Sequence, residues 1–211
     1  MATTRAVDPR ARRSRELIMT ALADVVAERG VSGFSIQEVA DRAGVSHRTV
    51  YRHYESRDAL LDGYARWLDE KLLERGGVTG VDDAESIPPG AETTFRLFDE
   101  FGALFDALVV VSLGTRSQVA RRDERTGEFR AALEASGTLD HLAEDDADVV
   151  TALIRTIASS NSWFLFRHLH GVDGERAGRA VAWALQTLIE ELRSGGGPQL
   201  DATSDRREEH R

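Results

Sequence analysis

The chain has 211 residues and no cysteine, so it can form no disulfide, thiolate metal site or cysteine nucleophile. It is long enough for one or two domains with a sizeable core. The formal net charge of −9 divides unevenly: residues 1–61 hold ten Arg against eight Asp and Glu, and residues 62–211 carry −11. A locally basic face beside an acidic remainder suits one DNA-facing surface. No apolar run approaches bilayer-spanning length and no signal-peptide pattern opens the chain, so a cytoplasmic protein with no membrane partner is expected.

Residues 1–9 read as a disordered arm, and Arg5, Arg10, Arg12, Arg13 and Arg15 carry a basic run from it into the first helix. That helix is expected over about Arg10 to Arg29. Its rows Leu17, Ala21, Val25 and Ile18, Leu22, Val26 form one stripe wide enough to bury.

Ser35 and Glu38 have capping-box spacing, and Ile36, Val39, Ala40 and Ala43 give the following helix one apolar side. Gly44 suits the left-handed turn that stops it, and Ser46 is a good N-cap for the next segment. In that segment, His47 to Tyr54, only Val50 and part of the tyrosine surface suit burial; the rest are donors. A helix, a short turn with glycine and a donor-rich second helix make a helix-turn-helix. Its second helix enters the major groove, where Arg forks onto guanine and the Thr methyl meets thymine. The DNA-binding candidates are Ser35, Gln37, Ser46, His47, Arg48, Thr49, Tyr51, Arg52, His53, Tyr54 and Arg57.

Gly44-Val45-Ser46, Thr49-Val50-Tyr51, His53-Tyr54 and Arg57-Asp58-Ala59-Leu60-Leu61 together resemble the DNA-binding segment of the tetracycline-repressor (TetR) family. The likeness covers roughly Arg10 to Leu73; beyond it the chain matches only in length and helical layout. It implies that the tripeptide is the turn and that the Tyr-x-His-aromatic run closes the recognition helix. Tyr54 stands where Phe is commoner, with a hydroxyl that adds a candidate phosphate contact.

Ser56 with Asp58 opens a helix whose apolar face (Leu60, Leu61, Tyr64, Trp67, Leu68, Leu72) runs to about Leu73. The resemblance makes this helix the lever between two domains. A Gly-, Pro- and Asp-rich loop is expected from Gly76 to Gly90. The second half is helical by pattern: about Glu92 to Leu113 as one central helix, Thr115 to Arg122, Asp123 to Ala135, Asp146 to His168, and a last helix capped by Asp173. After Gly195 the chain reads as a disordered tail. The fold class is all-α: a helix-turn-helix domain over 10–55 and a helical ligand-binding and dimerisation domain over 56–194, with 56–73 connecting them.

Small residues Ala158, Ser159, Ser160, Ala177, Ala180 and Ala184 on the last two helices suit a four-helix dimer interface. A homodimer would place two recognition helices on a near-palindromic operator of double-stranded DNA. Tyr64, Trp67, Leu68, Phe98, Phe101, Phe105, Asn161, Phe164 and His168 are the candidate lining of a mostly apolar small-molecule site, although aromatics at helical spacing are also ordinary core. His168-x-His170 lacks a carboxylate or Cys beside it and reads as a helix end, so neither metal nor cofactor is expected. No phosphate loop, nucleophile elbow or His-Glu-x-x-His motif occurs, and no enzyme is expected. Two readings remain: a repressor released from its operator by an apolar or aromatic effector, and a helix-turn-helix protein controlled by a protein partner or acting without a ligand.

Overall fold

The computed structural model describes residues 9–114 and 117–198, with side chains for all of these except 113 to 122. The expected arm and tail therefore lie almost wholly outside the described residues. Among the described residues there are ten α-helices and no strand: α1 (Pro9–Arg29), α2 (Ile36–Ala43), α3 (His47–His53), α4 (Arg57–Glu74), α5 (Ile87–Phe101), α6 (Ala103–Gly114), α7 (Ser117–Ala135), α8 (Glu144–Ile157), α9 (Ser160–His170) and α10 (Gly174–Arg193). The chain forms two compact units, one of residues 1–75 with 100–121 and one of 76–99 with 122–211.

This division differs from the boundary read in the sequence. Helix α4 belongs to the first unit, and α6 joins it because it packs along α1. The Tyr64 hydroxyl donates to the Leu104 carbonyl (2.6 Å), and Tyr64 is fully buried, which raises its pKa. Enclosure by α2, α4 and α6 also changes what α1 buries. Leu17, expected in its stripe, is 45% exposed, while Met19 and Ala23 are in the core. A single amphipathic stripe describes a helix covered on one side, and α1 is covered on more than one.

Helix boundaries shift for local reasons. The expected central helix is two, because Gly102 (φ 46°) reverses the backbone and its carbonyl accepts from the amides of Phe105 and Asp106. Helix α5 starts earlier than expected, with Pro88 and Pro89 in its first turn, where a missing N–H leaves no bond unmade. The long helix expected from Asp146 ends at Ile157. There the Thr156 carbonyl accepts from both Ser159 Oγ (2.7 Å) and Ser162 Oγ (2.8 Å), and such side-chain bonds compete with the helical ladder. The stretch from Ser117 to Ala135 is one helix rather than two.

In the second unit, α10 crosses α5 closely. A Cβ built on Gly174 would stand 2.2 Å from the Phe95 carbonyl oxygen, and one on Gly178 would stand 2.9 Å from that of Glu92. Beside the crossing, the Asp99 carboxylate accepts from Trp163 Nε1 (2.9 Å), Arg167 Nη1 (2.7 Å) and the Gly174 amide. Burial alone would raise the pKa of Asp99. The Gly174 amide, Trp163 and Arg167 outweigh it and hold the carboxyl below its ordinary value.

Candidate nucleic-acid interface

The first unit is built around short, locally specified elements. Ser35 caps α2 in a complete capping box: the Glu38 amide donates to Ser35 Oγ (3.2 Å), and the Ser35 amide donates to Glu38 Oε2 (2.8 Å). The hydrogen bond from that amide, with the one from the Ser35 hydroxyl, lowers the Glu38 pKa. At the other end Gly44 sits at φ 64°, and the Val45 amide reaches the Ala40 carbonyl (3.0 Å) in a Schellman turn. Ser46 Oγ then accepts the Thr49 amide (3.1 Å) and shares a hydrogen with Thr49 Oγ1 (2.8 Å). Turn and cap together leave α3 one orientation relative to α2.

Helix α3 buries one residue, Val50. His47, Arg48, Tyr51 and Arg52 are exposed along one face, as spacings of one, four and five residues require. The rings of His47 and Tyr51 meet edge to face at 4.6 Å, which orders two donors before any ligand arrives. Arg48 and Arg52 form no ion pair among the described residues. Several other cations of this unit are paired: Arg15 with Glu70, Arg12 with Glu74, Lys71 with Glu16, Arg42 with Glu28 and Arg29 with Glu38. A compact face of two unpaired guanidinium groups, an imidazole and a phenol matches what phosphates and base edges accept.

The remaining sequence candidates are placed less uniformly. Gln37 is exposed, with its amide on Asp41 (2.7 Å), whereas Ser35, Ser46 and Thr49 are engaged in capping. Tyr54 is a correction. Its ring is buried at the C-cap of α3 and its hydroxyl points to Met19 Sδ (3.9 Å), so it is not a surface phosphate contact. Burial raises its pKa against the opposing hydrogen bond from Arg15. Gly63 makes room for this ring, since a Cβ there would lie 2.2 Å from Tyr54 Cε1. His53 keeps its Nε2 buried and unbonded, and burial first, then Arg52 and Arg15, lowers its pKa. Arg57 stacks over Phe34 at 4.3 Å with Nε and Nη2 buried and unbonded, rather than standing free at the surface.

The nine residues expected to line an effector site do not form one lining in either unit. Tyr64, Trp67, Leu68, Phe101 and Phe105 belong to the first unit, where Phe101 meets Phe105 and Tyr64 meets Trp67, both at 5.9 Å. Phe98, Asn161, Phe164 and His168 belong to the second. There Phe98 packs on Phe95 and Trp163 as core, and Phe164 stacks on His168 at 4.3 Å. The sequence did not reveal the parts of α1 that share a cavity with Trp67 and Phe101: Glu16 and Thr20 look like ordinary surface residues of a charged helix. Among the described residues no group of His, Asp or Glu is arranged to hold a metal, and no helix is long and apolar enough to cross a membrane.

Residues 18–64 match the family of bacterial regulatory proteins, tetR family. The chain is similar to the HTH-type transcriptional regulator AlkX of Mycobacterium tuberculosis, 34% identical over 60 residues, a match spanning 28% of each chain. A longer likeness, 25% identical over 150 residues, relates 65% of this chain to 72% of the HTH-type transcriptional repressor KstR2 of Rhodococcus jostii. In fold it is similar to NalD of Pseudomonas aeruginosa, the secondary repressor of a multidrug efflux pump. That superposition has a TM-score of 0.62 at 15% identity and covers 84% of this chain and 96% of the other.

Proposed function

We propose that this chain, whose residues 18–64 match the tetR family of bacterial regulatory proteins, is a DNA-binding repressor that holds a near-palindromic operator as a homodimer and releases it on binding a small molecule. The observation that carries the reading is the exposed face of α3, where His47, Arg48, Tyr51 and Arg52 stand together with neither guanidinium held in an ion pair among the described residues. Arg48 and Arg52 read bases or phosphates in the major groove, and Thr49 offers a methyl to thymine. Ser35, Gln37 and Ser46 stand at the helix starts that face the backbone, and His53, Tyr54 and Arg57 support α3 from below.

Dimerisation is supported by an uncovered apolar strip on the second unit. Val149 (54% exposed) and Leu153 (46%) on α8 and Trp183 (72%) on α10 are exposed, with Ala180 one turn before Trp183. Exposed apolar side chains gathered on one surface mark interaction sites. Ala177 and Ser159 are buried within their own unit and leave that interface set. A homodimer presents two α3 helices to two half-sites, which such dimers meet about 34–36 Å apart, and linked sites bind far better than one. KstR2 of Rhodococcus jostii, to which this chain is similar, is itself a repressor by name.

Release requires that the effector prefer the DNA-incompetent state; a hundredfold loss of operator affinity corresponds to about 2.7 kcal/mol of coupling, and DNA must weaken effector binding by the same factor. The test is selection of genomic fragments by the purified protein, followed by titration of candidate compounds with and without the selected DNA. Enrichment of an inverted repeat is expected. A monomer that binds single half-sites as tightly as the full repeat, measured by sedimentation and anisotropy, would refute the dimeric reading. Equal effector affinity in both titrations would favour the partner-controlled alternative.

A further inference from the structure

Phe34 is the last residue before the cap of α2, and Arg57 is the first residue of α4. The Arg57 guanidinium carbon stands 4.3 Å from the centroid of the Phe34 ring, over its face, and that ring is only 6% exposed. A ring face attracts a cation through its quadrupole, most strongly where water is kept away. The guanidinium gains little else there. Its Nε and Nη2 are sealed and bond to nothing, and among the described residues no carboxylate pairs with it. Buried N–H groups without acceptors are destabilising, so a methionine in the same space would serve the packing better. A cation kept at a loss of stability is kept for its charge. The edge still able to deliver that charge is Nη1, through which this half-buried residue meets solvent.

The position of that edge decides what it meets. Ring and guanidinium tie the start of α2 to the start of α4, and Tyr54, three residues before Arg57, closes α3. In a helix-turn-helix the first helix crosses the phosphate backbone while the second lies in the groove. A guanidinium fixed at the start of the crossing helix is placed for a phosphate oxygen. A free surface arginine loses rotamer freedom when it binds, whereas one clamped over a ring has already lost it. We propose that Phe34 is a positioning residue for DNA binding: its ring holds the Arg57 guanidinium so that Nη1 meets a backbone phosphate. The inference rests on the DNA-binding reading and adds to it a contact that carries affinity but reads no base.

The experiment uses the full chain and the fluorescein-labelled duplex selected from genomic fragments, with anisotropy read between about 50 and 200 mM salt. Arg57→Met should melt no lower than the wild type and weaken binding about tenfold per subunit, the value of one hydrogen bond to a charged group. It should also flatten the slope of log K against log salt by about 0.9 per subunit. Phe34→Leu should flatten the slope in the same direction, and Phe34→Tyr, which keeps the ring face, should restore it. In the Arg57→Met background Phe34→Leu should have no further effect on binding. Phe34→Met removes the ring in a second way, and whichever of the two melts closer to the wild type is used. A packing role alone would weaken binding in both backgrounds and leave the slope intact, so that pattern overturns the proposal. Arg57→Met that melts well below the wild type and binds DNA as before also overturns it, since the guanidinium then serves the fold. A wild type that enriches no duplex overturns the DNA-binding reading and this contact with it. A wild type that binds with a slope indifferent to Arg57→Met overturns the contact alone.

Discussion

Helix α3 and the α5–α10 crossing solve opposite problems. Helix α3 spends its seven residues on display: one side chain is buried, and its orientation comes from a capping serine before it, a glycine turn and Tyr54 anchored behind it. The crossing displays almost nothing. It is made by glycines that let two backbones approach and by Asp99, which gathers three donors from α9 and the start of α10. A recognition element therefore tolerates surface change at the expense of function, while a close crossing tolerates almost none.

The sharpest way to break the comparison is Gly174→Ala. The new methyl meets a backbone carbonyl, which cannot rotate away, so a loss of about 3 kcal/mol is expected in urea unfolding. A loss below about 0.5 kcal/mol would mean the helices are free to separate. Gly63→Ala should cost about 2 kcal/mol, less because the atom it meets belongs to the Tyr54 ring. Here a double-mutant cycle is decisive: in a Tyr54→Leu background most of the cost should vanish, and strict additivity would show that the ring is not the obstacle.

On the display side, Arg48→Ala should leave stability unchanged and weaken operator binding by about 1–3 kcal/mol with relaxed preference at one base position. Unchanged affinity and unchanged base preference would remove Arg48 from the reading face. Ser46→Ala sits between the two behaviours: losing the cap should cost about 1 kcal/mol of stability and weaken binding to all sequences alike. The smallest effect expected is in pH. The pKa of Asp99 is depressed in the folded state, so its stabilisation is complete above the ordinary carboxylate value of about 3.9 and is lost as pH falls through the lower folded value. Thermal scans between pH 5 and 2 should therefore show a steeper acid decline for the wild type than for Asp99→Asn. Parallel curves would remove Asp99 from the acid response.

The sequence by itself determined the helix-turn-helix. Ser35 with Glu38, Gly44 and Ser46 act on groups three to five residues away, so their bonds form whatever the rest of the chain does. The same locality made the caps at Ser56 and Asp173 legible. What an apolar face meets is not local, and there the tertiary structure decided. It placed α6 against α1, exposed Leu17 while burying Met19, turned the Tyr54 hydroxyl inward, and assigned Phe98 and Phe101 to different units although three residues separate them. It also left Trp67 Nε1 buried without a partner. Helical periodicity says which side chains share a face; only the packed neighbours determine whether that face becomes core, a subunit contact or the wall of a cavity.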